Sequence, residues 1–144
     1  MVNVYTETVI HRPAGVVAAF AANPANVPQW YQNIASVLRT SPDGPLLGSH
    51  WAFVAHFLGR TLSYEYKIVE FVADERLVMR TSQGPFPMET IYTWVALNDT
   101  TTRMTVRNAG EPSGFSRLAS PLIAVAMRAA NRKDLQKIKA LLEA

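Results

Sequence analysis

At 144 residues, with 14 Lys and Arg against 11 Asp and Glu for a formal charge of +3, the chain is long enough to bury roughly 70% of its unfolded surface as one domain. Charged residues make up 17% and apolar residues 49%, which excludes a disordered chain and leaves too weak a field to argue for nucleic acid. The chain has no cysteine, which excludes disulfides, thiolate zinc sites and a cysteine nucleophile.

Val2, Val4, Thr6, Thr8 and Ile10 alternate with their neighbours, which predicts a first strand. Pro13 suits a first helical turn and opens a short helix over Ala14 to Ala22. Asn23-Pro24 interrupts it, and a second short helix follows from Pro24 to Tyr31, ending at Trp30. The turn cluster Ser41 to Pro45 precedes a run of strands at about 49–58, 61–71, 76–83, 88–97 and 101–109. Their connections are short and polar, which favours antiparallel hairpins over parallel crossovers. Glu111 to Gly114 ends the sheet, and a long helix runs on from there. The composition shows no linker, repeat or low-complexity stretch, so the expectation is one α+β domain over residues 1–144.

Met1 to Ile10 lacks the charged and apolar regions of a signal peptide. The longest apolar run, Pro121 to Met127, falls far short of the ~20 residues a bilayer needs. A cytoplasmic protein with no stable membrane insertion is therefore expected.

Hairpin parity sorts the side chains. A two-residue turn at Gly59-Arg60 sets Trp51, Phe53, Ala55 and Phe57 on one face with Leu62, Tyr64, Tyr66 and Ile68. A turn centred near Asp99 groups Tyr92 and Trp94 with Met104 and Val106. The sheet thus has one aromatic face and one mixed, water-facing face. On the last helix, Ala124, Met127, Asn131, Leu135, Ile138 and Leu142 form a stripe that should lie on the aromatic face. Asn131 falls mid-stripe, where a buried amide needs a partner. Leu122, Val125, Ala126 and Ala129 fall opposite the stripe and make a candidate homodimer surface, unless the loop Glu111 to Arg117 folds back over them.

Those rings either pack as core or line a cavity. Tyr and Trp carry a hydroxyl or N–H that needs a partner when buried, whereas a dry core is made more simply from Leu, Ile and Phe. The helix opposite offers small or flexible residues. The candidate ligand-binding set is therefore Trp51, Phe53, Tyr64, Tyr66 and Met79, with Tyr92, Trp94, Met104, Met127 and Asn131.

Other chemistries find little support. His50 and His56 are six residues apart on a strand, about 20 Å at strand rise, so they cannot share a metal. His56 beside Ser63 and Glu65 reads as a surface cross-strand cluster. No GxSxG, Walker loop or GxGxxG occurs. The inner face offers no acid–base pair, so catalytic residues stay unassigned, and neither cofactor nor metal is expected. Arg128, Arg132, Lys133, Lys137 and Lys139 read as a solvated helix face without the interleaved aromatics of a nucleic-acid site.

This element order resembles the helix-grip fold: a curved antiparallel sheet around a long C-terminal helix, with two short helices after the first strand. Specific stretches resemble the START/Bet v 1-like (SRPBCC) superfamily, in its polyketide cyclase/dehydrase-like bacterial branch. They are Ile10-His-Arg-Pro13-Ala-Gly-Val16 with Phe20, Asn23-Pro24 and Pro28-Gln-Trp30, then Tyr66-Lys-Ile68-Val-Glu70 with Glu75-Arg-Leu77. Thr102-Arg-Met-Thr-Val106 and Leu135-Gln-Lys-Ile138-Lys139-Ala-Leu-Leu-Glu143 complete the set, and the match runs over essentially the whole chain. The chain departs at Val17, where members often carry an aromatic residue, and at Asn23, where they often carry an acid. Both departures imply a roomier end beside the short helices.

The resemblance implies a ligand class and no reaction, since members bind lipids, hormones, polyketides or quinone-like molecules and only some transform them. The expected function is binding, and possible transport, of a small hydrophobic, cyclic or aromatic molecule in an internal cavity. The alternatives are a cyclase/aromatase-type enzyme with a cavity tyrosine as proton donor, and a protein-interaction module of the chaperone-activator type.

Overall fold

The computed structural model describes residues 2–57, 59–83, 87–110 and 120–144. Strand β1 spans Val2–Ile10, followed by helix α1 over Ala14–Ala21, a 3-10 turn at Pro24–Asn26 and helix α2 at Val27–Trp30. Strands β2 (Ile34–Arg39), β3 (His50–Phe57), β4 (Arg60–Val72), β5 (Arg76–Gln83), β6 (Met88–Asn98) and β7 (Thr101–Gly110) follow, and helix α3 covers Ser120–Glu143. The strands form one antiparallel sheet in the order β1-β7-β6-β5-β4-β3-β2. Register shifts at Ile34/Ser36, Glu65/Tyr66, Ile68/Glu70 and Ala96/Asn98 mark bulges, which bend strands and curve the sheet over α3. This is the helix-grip architecture.

The sequence predicts six strands, and the structure has a seventh, β2. Its apolar residues Ile34, Val37 and Leu38 do not alternate. The bulge explains why: Ile34 pairs with Ala55 and Val37 with Phe53, so residues three apart reach the same face. Elsewhere on this edge strand Leu38 is 69% exposed, so little apolar patterning remains to be read.

The β3–β4 hairpin turns one residue earlier than expected. Phe57 pairs with Arg60, Ala55 with Leu62, Phe53 with Tyr64 and Trp51 with Tyr66. Gly59, at φ +75°, takes the left-handed turn conformation that side chains resist. The pairing moves by two residues, so facial parity survives. The outer-face cluster changes, however: His50 Nδ1 lies 2.9 Å from Glu65 Oε1, while His56 Nδ1 bonds Thr61 Oγ1 at 3.1 Å. The β6–β7 hairpin follows expectation, with Tyr92 opposite Val106 and Trp94 opposite Met104.

Helix α3 packs chiefly on β1, and its C-terminal end is tied there by polar contacts. Glu143 Oε2 accepts from the His11 N–H at 2.8 Å, Arg12 Nη1 donates to the Leu142 carbonyl at 3.1 Å, and Lys139 Nζ donates to the Val9 carbonyl at 2.8 Å. Leu135 and Ile138 join the main core, whereas Ile123 packs separately with Val4, flanked by Ala124 and Met127. Asn131 and the unforeseen Ile123 and Asp134 are buried, while Leu142 is half-buried. On the other face Leu122 and Val125 are 66% and 61% exposed; Ala129 is exposed and Ala126 half-buried. The segment Glu111 to Arg117, expected to cover them, lies outside the described residues.

Candidate ligand cavity

The two apolar clusters of the interior do not meet, and a cavity of about 110 Å³ lies between them. Ile123, Met127, Ala130, Asn131 and Asp134 of α3 form one wall; Ala55, Leu62 and Tyr64 of β3 and β4 form the facing one. Tyr31, Asn33 and Ile34, from the link between α2 and β2, close one side, and Thr81, Met88 and Asn108 line the other. The mixture is mostly apolar with a few convergent polar groups, the usual make-up of a small-molecule site.

Of the ten candidate residues, Tyr64, Met127 and Asn131 line this cavity. Phe53, Tyr66, Met79, Tyr92, Trp94 and Met104 are buried in the main core instead. Their rings pack on one another: Phe53 stacks on Tyr64 at 5.5 Å and meets Tyr66 edge-on at 5.1 Å. Ring-on-ring packing fills the volume that the parity argument left open for a ligand. Trp51 opens onto a separate groove of about 410 Å³ beside α1, shared with Asn23 and Arg39. Asn23 lines that groove and not the cavity, and Val17 is fully buried.

The polar groups of the interior divide into satisfied and unsatisfied. Tyr66 Oη bonds Thr90 Oγ1, which donates to Asn108 Oδ1, both at 2.8 Å. The hydroxyls of Tyr31 and Tyr92 bond each other, and Trp51 Nε1 donates to Ser49 Oγ at 2.8 Å. Tyr64 has no hydrogen bond to any described residue. Asn131 Nδ2 is buried without a partner, as are the indole nitrogens of Trp30 and Trp94. A half-turn of the Asn131 amide exchanges its oxygen and nitrogen at little steric cost.

Tyr31 and Asp134 carry chemistry that the sequence argument missed. Asp134 is 5% exposed, and its Oδ1 accepts from the Gln32 N–H at 2.8 Å. Burial pushes its carboxyl up to about 6, partly opposed by that amide and by Lys137. Burial likewise raises the tyrosines Tyr31, Tyr64, Tyr66 and Tyr92 above the ordinary phenol range. They therefore stay protonated and serve as hydrogen-bonding groups, leaving Asp134 as the lining group able to exchange a proton near neutral pH. Its signal was legible: it stands three residues after Asn131 and four before Ile138, inside the buried stripe. Among the described residues, no group of three His, Asp or Glu side chains could hold a metal, and no helix is long and apolar enough to cross a membrane.

The family model described as polyketide cyclase/dehydrase and lipid transport matches residues 1–143. The chain belongs to that family. No curated protein matches its sequence. In structure this member of the polyketide cyclase/dehydrase and lipid transport family is similar to TTHA0849 from Thermus thermophilus, with a TM-score of 0.83 at 16% identity over 98% of this chain and 97% of that one. A START superfamily protein from Mycobacterium smegmatis gives 0.84 at 14% identity, covering 98% and 97%. The ZhuI aromatase/cyclase from Streptomyces sp. R1128 gives 0.80 at 11% identity, covering 98% and 93%. These likenesses place the family member in the START/Bet v 1-like fold, and family and fold together support a hydrophobic ligand-binding domain.

Proposed function

We propose that this chain binds a small, mostly apolar, ring-bearing molecule in the cavity between α3 and the β2–β4 side of the sheet. The observation that carries the reading is an apolar lining into which the buried, unpartnered Asn131 amide is brought, and which the half-buried Tyr64 also lines. Leaving a buried polar group unpaired costs about 1–3 kcal/mol, and a ligand carbonyl or hydroxyl would offset that. Transport is the natural extension, because binding of this kind needs no covalent step. At about 110 Å³ the cavity is smaller than the ~300–1,000 Å³ of drug-sized sites, so it accommodates a single ring, and a larger molecule requires the walls to part.

The test is an NMR-detected titration with p-cresol, a one-ring probe. The Asn131 side-chain amide and Met127 methyl should shift, and Tyr64→Phe should weaken binding about threefold to tenfold. Shifts confined to Trp51 and the α1 groove, or none at all, would overturn the reading.

One observation favours the cyclase/aromatase-type alternative more than the sequence did. A lining carboxyl pushed up to about 6 suits general acid–base work, whereas the raised tyrosines suit orientation of a carbonyl. In that case Asp134→Asn would abolish turnover of a polyketone-like substrate while leaving its affinity within about threefold.

A further inference from the structure

We infer that the cavity selects its ligand by charge, taking neutral ring compounds whose hydroxyl faces Asp134 and refusing carboxylates of the same shape. This rests on the ligand-binding reading above and adds to it the chemical class of the ligand. Asp134 lines the cavity at 5% exposure and has no ion-pair partner among the described residues. Its Oδ1 is engaged by the Gln32 N–H, and its Oδ2 has no described partner. The cavity lining contains no Lys, Arg or His among the described residues.

The groups that face Asp134 do not neutralise it. Tyr31, from the end of α2, and Tyr92, from β6, interact with its charge and are themselves kept protonated. Lys137, one turn further along α3, exerts a minor pull on the carboxyl and is exposed. At pH 7.5 the acid is mainly ionised, so the site presents one negative charge in a desolvated wall. A ligand carboxylate would meet that charge at short range, where the interaction is far stronger than in water. A ligand hydroxyl would instead donate to Oδ2, and a hydrogen bond to an ionised acceptor is roughly twice as strong as a neutral one. Tyr64 and Asn131 remain available for the other end of the molecule.

The experiment is a titration of the protein with p-cresol, p-toluate, p-toluamide and toluene at pH 7.5. The wild-type chain should bind p-cresol and the neutral p-toluamide at least tenfold more tightly than p-toluate, the amide controlling for size. In Asp134→Asn, which retains an acceptor for the Gln32 N–H, the gap between p-cresol and p-toluate should shrink to about threefold or less. Equal affinity for p-toluate and p-toluamide in the wild-type chain, or a gap unchanged in Asp134→Asn, would overturn the inference. If all four probes bind alike, the charge selection alone falls. If none binds, toluene included, the ligand-binding reading falls and the inference with it.

Discussion

Tyr64 and Tyr66 sit two positions apart on one strand, with rings meeting edge-on at 5.2 Å, yet their hydroxyls have different fates. Tyr66 is joined to Thr90, so Tyr66→Phe should lower stability by about 1 kcal/mol, the typical worth of a neutral hydrogen bond, measurable as a lower urea midpoint. Tyr64 has no described partner, so Tyr64→Phe should leave that midpoint unchanged within about 0.5 kcal/mol while weakening p-cresol binding. Asp134 gives a pH signature. Its folded-state value of about 6 lies above the ordinary 3.8, so the folded protein holds the proton more tightly than the unfolded chain. The associated stability is present below about pH 4 and is lost as pH rises through 6. Denaturation at pH 4.5 and 7.5 should therefore show wild type losing on the order of 1 kcal/mol relative to Asp134→Asn. Glu65 and Glu143 are shifted the other way, so their contributions are full well above pH 4.5 and begin to be lost as pH falls to that value. Both carboxylates are present in Asp134→Asn as well, so they cancel in the comparison.

Among the elements, those punctuated by Gly, Pro, Asn or Asp were legible, because turn chemistry is local. The β6–β7 hairpin follows from the sequence to within a residue at each strand end, apart from the bulge at Ala96/Asn98. Parity also survived a misplaced β3–β4 turn, since sliding a hairpin by a whole pair leaves each side chain on its face. β2 was not legible, because its bulge makes Ile34 and Val37 neighbours on one face at a spacing that matches no regular strand. The cavity was legible only in part, through Tyr64, Met127 and Asn131. Its other walls, Tyr31 and Asn33 to one side and Thr81 and Asn108 to the other, depend on how α2 and β5–β7 are placed against α3, which no local pattern encodes. Gly110 shows the same dependence. A Cβ there would lie 2.4 Å from the Pro87 carbonyl oxygen and 3.1 Å from Met88 Cα, so Gly110→Ala must displace backbone. It should cost about 1–3 kcal/mol, in the range of overpacked sites, and lower the thermal midpoint.

For the molecule as a whole, the order of elements and the family stretches at both ends of the chain were enough to expect the fold, whereas the size of the cavity emerged only from the way the two apolar clusters fail to meet. A ligand that bridges this gap should stabilise the entire fold. At ten times its Kd, a single-site ligand adds about 1.4 kcal/mol, which for a chain this size raises the thermal midpoint by about 3–6 °C. A scan with and without p-cresol reads that shift directly.

The sheet order has a consequence for synthesis. β1, made first, finds its strand partner in β7, so that Val2 lies opposite Gly110, and Tyr31 waits for Asp134 to be translated before its side of the cavity has a facing wall. Pairings this distant in sequence make for slow folding, on the scale of milliseconds to seconds. The pocket therefore has no complete wall until β7 and α3 have both been made. Ligand can enter only after the helix has closed over the sheet.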